Sequence, residues 1–123
     1  MVTFNPRIFL RSFRYALTGL RYALRHEQSF RVQLGFAAFA VVLMTVLQVS
    51  RLEAVALILV MSSVLVLELL NTVLEKFIDV LKPRVHYFVA IMKDLMAAAV
   101  LVASIAAVIV GALIFIPRLL SFL

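Results

Sequence analysis

The stretch AVALILVMSSVLVLELLNTVL (54–74) decides the fold of this chain. Ala54 to Leu67 is a run of only 14 uncharged residues, too short to cross a hydrocarbon core of roughly 30 Å as a helix. Reading on through Glu68 to Leu74 gives 21 residues and a full span with one carboxylate inside it. Two longer uncharged runs flank this one: Val32 to Ser50, of 19 residues, and Leu95 to Pro117, of 23. Three transmembrane helices are expected, over about 31–50, 53–80 and 91–118. The composition agrees. Of the 123 residues, 66% are hydrophobic and 15% charged, against about 45–50% and about 25% in a soluble domain. Such a length allows one domain, 1–123. With no cysteine there is no disulfide framework, thiolate metal site or cysteine nucleophile, and three glycines leave no room for a glycine-rich phosphate loop.

The first 31 residues do not read as a signal peptide, because six arginines run through them and no short apolar core precedes a cleavage site. They keep helical phase instead. Phe9, Phe13, Leu17, Leu20 and Leu24 share one arc of about 80°, and Arg7, Arg11, Arg14, Arg21 and Arg25 share another on the far side. That pattern describes an amphipathic helix lying in the membrane surface, over about 6–27. Asn5 suits its N-cap and Pro6 its first helical position. The alternative is a basic nucleic-acid-binding arm. The apolar face opposite the arginines argues against it, and no nucleic-acid partner is expected.

Lysines and arginines set the orientation. Arg7, Arg11, Arg14, Arg21, Arg25 and Arg31 precede the first span, and Lys76, Lys82, Arg84 and Lys93 lie between the second and third. Arg51 alone joins the first two spans, and Arg118 alone follows the third. The amino terminus and the second loop are expected in the cytoplasm, and the carboxyl terminus outside. This distribution accounts for the net charge of +6.

Five of the six acids, Glu27, Glu68, Glu75, Asp79 and Asp94, then fall in the cytoplasmic half, while Glu53 falls in the outer loop with no special role. Glu68 lies roughly 21 Å along its helix from Ala54, at 1.5 Å per residue. Glu68, Asn71, Glu75 and Asp79 share a single stripe about 80° wide. Ionisable residues at membrane depth are costly, face protein or water, and are functional candidates by default. The plainer readings are a wet helix end for Glu75 and Asp79, paired with Lys76 or Arg84, and an i,i+4 pair for Glu27 and Arg31. Lys93-Asp94 would then be an interfacial anchor, and His86 says little alone. Lys76 directly follows Glu75 and lies about 80° round the helix from Glu68.

The chemistry open to this set is specific. Glu27 and Glu75 could hold Mg²⁺, which takes one or two carboxylates plus substrate phosphates. Lys93 and nearby arginines could neutralise phosphate charge. Glu68, partly desolvated, suits a general base taking a proton from an alcohol. A lipid hydroxyl would arrive from the bilayer and a phosphoryl group from ATP on the cytoplasmic side.

LELLNTVLEKFID (67–79), His86 and KDLMAAAVL (93–101) resemble the small prokaryotic diacylglycerol kinase family, which includes the undecaprenol kinases. SFRYALTGLRYALRHEQSFR (12–31) resembles the family's surface helix and the turn that follows it. The likeness runs from about Phe9 to Arg118. It implies a homotrimer of three-span subunits with active sites shared between neighbours, in a bacterial cytoplasmic membrane. It implies Mg²⁺-ATP as donor and a membrane lipid alcohol as acceptor. Carried over by position, Glu68 matches the general base and Glu27 and Glu75 the metal-binding pair. Asn71, Tyr15, Asp79, His86, Lys93 and Asp94 match positions around the nucleotide, and Arg11, Phe30 and Arg31 match lipid-access or surface-helix contacts. The chain departs from proteobacterial members at Ile8, where they carry arginine, and its loop KPRVHYFVAI (82–91) is more apolar and basic than the family's. LELLNT and the tail GALIFIPRLL (111–120) look more like the undecaprenol kinase branch, which makes undecaprenol the expected acceptor and diacylglycerol the alternative.

Ala99, Ala103, Ala107 and Gly111 recur every four residues on the third span, a pattern that lets helices approach closely in lipid. Two other classes compete with a kinase. A small proton-coupled transporter would use Glu68 but have no need of Glu27, Glu75 or Lys93-Asp94. A structural or regulatory membrane protein need not have kept all five acids.

Overall fold

The computed structural model describes residues 3–81 and 86–123, with His86 described in its backbone alone. It is all-helical: α1 (Pro6–His26), α2 (Gln28–Val46), α3 (Arg51–Leu81) and α4 (His86–Phe122). The last three are long and apolar enough to cross a membrane. α3 packs mainly on α4, α2 packs on α3, and α1 packs on α2.

Local chemistry sets each helix end. Asn5 Oδ1 accepts from the Arg7 amide at 3.0 Å, and Pro6 opens the first turn, so α1 starts where a short polar side chain replaces a missing backbone acceptor. α1 stops at Glu27, whose φ of −115° and ψ of 104° are extended. The same residue is the N-cap of α2, so one residue turns the chain from α1 into the first long helix. Arg31 holds this bend from the far side. Its Nη1 donates to the carbonyls of Leu24 (2.9 Å) and Arg25 (3.1 Å), which the end of α1 leaves without amide partners. Phe30 and Ala23 are buried against the bend.

α2 ends at Val46, short of the run read from the sequence, because Gln48 adopts a left-handed φ of 52° and the Val49 amide reaches back to the Met44 carbonyl at 3.2 Å. α3 then begins with a capping box. The Ser50 amide donates to Glu53 Oε1 at 2.9 Å, and the Glu53 amide donates to Ser50 Oγ at 3.2 Å. Glu53 is thus part of the first turn of α3 rather than an idle loop residue. It also pairs with Arg118 of α4, whose Nη1 reaches the Gln48 carbonyl at 3.3 Å. This clasp joins the α2–α3 turn to the far end of α4. α4 starts at His86, earlier than the expected span, and continues through Pro117.

The core is a thin seam. On α3 the buried residues are Leu57, Val64, Glu68, Thr72 and Ile78, which follow one side of the helix. The chain exposes 9503 Å², whereas a compact soluble protein of its 13.8 kDa would expose about 6,600 Å². Phe36, Phe39, Val102, Val108 and Leu113 are among the large apolar side chains on the outside.

Candidate functional site

Glu68 lies on the buried seam of α3, one helical turn inward of Thr72. It is 5% exposed, and it is the one charged side chain buried among the described residues. α3 puts it there because Leu57 and Val64 share its face, so packing those residues turns the carboxylate inward as well. Thr72 Oγ1 donates to the Glu68 carbonyl at 3.1 Å, which satisfies the hydroxyl within the helix and leaves the carboxylate to other partners. Among the described residues no group donates a hydrogen bond to that carboxylate.

Two further acids converge on it. Glu27 stands half-buried at the α1–α2 bend, and Glu75 half-buried two turns along α3. Both carboxylates lie within Coulombic reach of Glu68. Asn71 Nδ2 donates to Glu75 Oε1 at 3.3 Å and so orients it. Arg31 does not pair with Glu27, because its guanidinium is taken up by the carbonyls at the end of α1. The ion pair among the described residues is Arg118 with Glu53, at the opposite end of the bundle. The acids of the cluster are therefore not neutralised by salt bridges within the described chain.

Two carboxylates from different elements, one held by a side-chain amide, suit the chemistry of Mg²⁺, which binds through one or two carboxylates with phosphates and waters completing its shell. Among the described residues no three histidine, aspartate or glutamate side chains form a closed metal cage. Any ion held by Glu27 and Glu75 would need a ligand's oxygens as well.

Asp79 is exposed one turn beyond Glu75. Lys93 and Asp94 are exposed on α4, and no hydrogen bond or ion pair links them to the cluster among the described residues. Tyr15 is 67% exposed, about 18 Å from Glu27 along α1 at 1.5 Å per residue. Arg11 is exposed a further turn away. Phe30 is buried at the bend, and Arg31 contacts the α1 backbone. The His86 side chain, and Lys82 and Arg84 of the loop, lie outside the described residues. Among the described residues no side-chain hydrogen bond or ion pair joins Tyr15, Lys93 or Asp94 to Glu27, Glu68, Asn71 or Glu75.

One feature at the site was not read from the sequence. The Lys76 ammonium sits 5.5 Å from the centroid of the Tyr22 ring, which itself stacks on His26 with centroids 4.3 Å apart. The i,i+4 spacing of Tyr22 and His26 is the signal that could have shown the stack. Between α1 and α3, Gly19, Leu20, Ala23, Leu69, Thr72 and Val73 line an apolar groove of about 450 Å³ that ends at Tyr22 and Lys76.

The sequence profile of prokaryotic diacylglycerol kinase matches residues 14–115. A diacylglycerol kinase of Synechocystis sp. is 43% identical over 116 residues, covering 91% of this chain and 65% of the relative, so this chain spans just under two thirds of that protein's length. An undecaprenol kinase of Bacillus subtilis is 31% identical over 111 residues, covering 90% of each. A diacylglycerol kinase of Escherichia coli is 36% identical over 95 residues, covering 77% of this chain and 78% of the relative. The chain is an all-helical bacterial membrane protein of the prokaryotic diacylglycerol kinase family, whose named members are lipid kinases.

Proposed function

We propose that this chain transfers the γ-phosphate of ATP to the hydroxyl of a membrane lipid alcohol. The observation that carries the reading is the buried Glu68 carboxylate within Coulombic reach of Glu27 and Glu75. Glu68 takes the proton of the lipid hydroxyl as that oxygen attacks the γ-phosphorus, and ADP leaves. Burial on the α3 seam keeps water away from the base, and the α1–α3 groove offers an apolar approach for the lipid chain. Glu27 and Glu75 would hold Mg²⁺, with Asn71 donating to Glu75 Oε1 and so orienting that carboxylate. Bound there with ATP, the ion would offset charge on the transferring phosphoryl group. Tyr15, Asn71, Asp79, His86, Lys93 and Asp94 contact the nucleotide, and Arg11, Phe30 and Arg31 shape lipid access along α1. A proton-coupled transporter finds no support, because the acids gather at the cytoplasmic end of α3 with the α1–α2 bend.

The site is shared between neighbouring chains of a homotrimer. Two observations support this: Tyr15 lies about 18 Å along α1 from Glu27 of its own chain, and apolar surface is left uncovered on every long helix. α1 lies in the cytoplasmic surface of the membrane with its arginines toward water and phosphate headgroups. The amino terminus is cytoplasmic and the carboxyl terminus outside, as the lysine and arginine distribution requires.

The acceptor is undecaprenol, on the likeness of LELLNT and GALIFIPRLL to that branch. Diacylglycerol is the second reading, favoured by the 43% identity to the Synechocystis diacylglycerol kinase. Phosphoryl transfer from γ-labelled ATP to both lipids, offered side by side in mixed micelles with Mg²⁺, separates them. Label in undecaprenyl phosphate supports the first reading. Label mainly in phosphatidic acid keeps the chemistry and corrects the substrate, and label in neither contradicts the proposal.

A further inference from the structure

We infer that Gly19 is a specificity-determining residue: it opens the α1–α3 groove to the isoprenoid chain of a polyprenol, next to that lipid's hydroxyl. The inference rests on the reading of Glu68 as the base for a lipid alcohol. Its own ground is the shape of the groove at α1. Glycine inside a helix is less favourable than alanine, because it gives up more backbone freedom on folding. Gly19 lies well inside α1, and no glycine of the chain has a positive φ, so the backbone conformation does not call for it. Close helix packing does not call for it either. A β-carbon at Gly19 would meet no side chain and no other helix within 4 Å. The space beside Gly19 belongs to the groove of about 450 Å³ walled by Leu20 and Ala23 of α1 and by Leu69, Thr72 and Val73 of α3. The missing side chain enlarges that groove, and no neighbour fills it.

The chemistry of the walls selects the occupant. Leu20, Ala23, Leu69 and Val73 present only carbon side chains. Thr72 brings the one hydroxyl among them, and its proton is donated to the Glu68 carbonyl at 3.1 Å. Between these walls, among the described residues, no side chain offers a free hydrogen-bond donor. Tyr22 and Lys76 close the end of the groove, and Lys76 lies about 12 Å along α3 from Glu68. Thr72, by contrast, is one turn from Glu68, whose buried carboxylate receives no hydrogen bond among the described residues. A chain in the groove therefore has its hydroxyl end beside the candidate base. A polyprenol is hydrocarbon from its first carbon onward and leaves nothing unpaired there. Diacylglycerol brings ester carbonyls close to its hydroxyl, and each would lose water without gaining a donor. Gly19 sets the width left for the methyl-branched chain.

Gly19→Ala and Gly19→Leu, made in the full chain and assayed in mixed micelles with undecaprenol and diacylglycerol, test this. Both add a good helix former where the structure leaves room, so the melting temperature should hold or rise and Mg²⁺-ATP affinity should stay at its wild-type value. A hydrophobic pocket distinguishes ligands by about 10–200-fold per methylene. Gly19→Leu should therefore lower kcat/KM for undecaprenol by about tenfold or more, mostly through KM, with Gly19→Ala between it and wild type. The loss for diacylglycerol should be smaller. Unchanged undecaprenol kinetics in a stable Gly19→Leu variant would overturn the role of Gly19. A lower melting temperature or weaker Mg²⁺-ATP binding in Gly19→Ala would overturn it as well, by showing that the glycine serves packing. Equal losses for the two lipids, or a wild type that phosphorylates diacylglycerol alone, would overturn the isoprenoid assignment and leave the kinase reading standing. Phosphorylation of neither lipid by the wild type would overturn the kinase reading, and this inference with it.

Discussion

Asn71 Nδ2 donates to Glu75 Oε1 at 3.3 Å, one turn apart on α3 and one turn beyond the buried Glu68. This contact orients the candidate metal ligand on the face of α3 that also carries the candidate base. Groups that orient a metal-binding carboxylate typically contribute about 10–100-fold in metal affinity or activity. Asn71→Ala should raise the Mg²⁺ concentration for half-maximal activity by about tenfold or more. A Mg²⁺ titration of turnover checks this, and an unshifted midpoint would remove Asn71 from that role.

Arg31 fastens the bend at Glu27 through two hydrogen bonds to backbone carbonyls. Each is worth about 1 kcal/mol net. Arg31→Ala should loosen α1 from α2 and speed amide hydrogen exchange over residues 23–30, with exchange in the middle of α4 unaltered. Activity should fall as Glu27 loses its fixed place. Uniform exchange across the chain would show that the bend does not depend on this guanidinium.

Phe30 is 3% exposed and fills the inside of that bend. Replacing a buried phenylalanine with alanine costs about 3–5 kcal/mol in well-packed cores. Phe30→Ala should lower the melting temperature in micelles more than Phe36→Ala, whose ring is 67% exposed on α2. Equal effects at the two positions would contradict the packing described here.

The Glu53–Arg118 clasp lies at the opposite end from the acid cluster. Glu53 serves both the capping box and the ion pair, whereas Arg118 serves the pair and the Gln48 carbonyl. Glu53→Ala should therefore lower the melting temperature more than Arg118→Ala, and the double variant should lose less than the two single losses combined. The apparent KM for ATP should stay at its wild-type value in all three.

Much of this architecture is legible in the sequence, for physical reasons that differ by residue. The uncharged runs 32–50 and 95–117 announce long helices because the bilayer fixes their length, and Glu68 stands out because carboxylates are rare at that depth. Asn5 and Pro6 mark the start of α1 because capping is local. The bend at Glu27 carries no glycine or proline to announce it, and Arg31, the obvious i,i+4 partner of Glu27, turns out to serve backbone carbonyls instead. Glu53 and Arg118 are 65 residues apart, so their pairing follows only from the packing of α3 on α4. Lys76 meets Tyr22 for the same reason: α1 folds back beside α3, and helical phase along one element says nothing about what stands across from it.

The most direct test of the account is Glu68→Gln, which keeps the size of the buried side chain and removes its capacity to accept the proton. Mg²⁺-ATP affinity and lipid phosphorylation would be measured on the same preparation. General-base assistance contributes typically about 10²–10⁴-fold, so turnover should fall by at least about 100-fold while Mg²⁺-ATP binds within about twofold of wild type. A variant that binds Mg²⁺-ATP and still phosphorylates lipid at near the wild-type rate would contradict the assignment of Glu68 as the base.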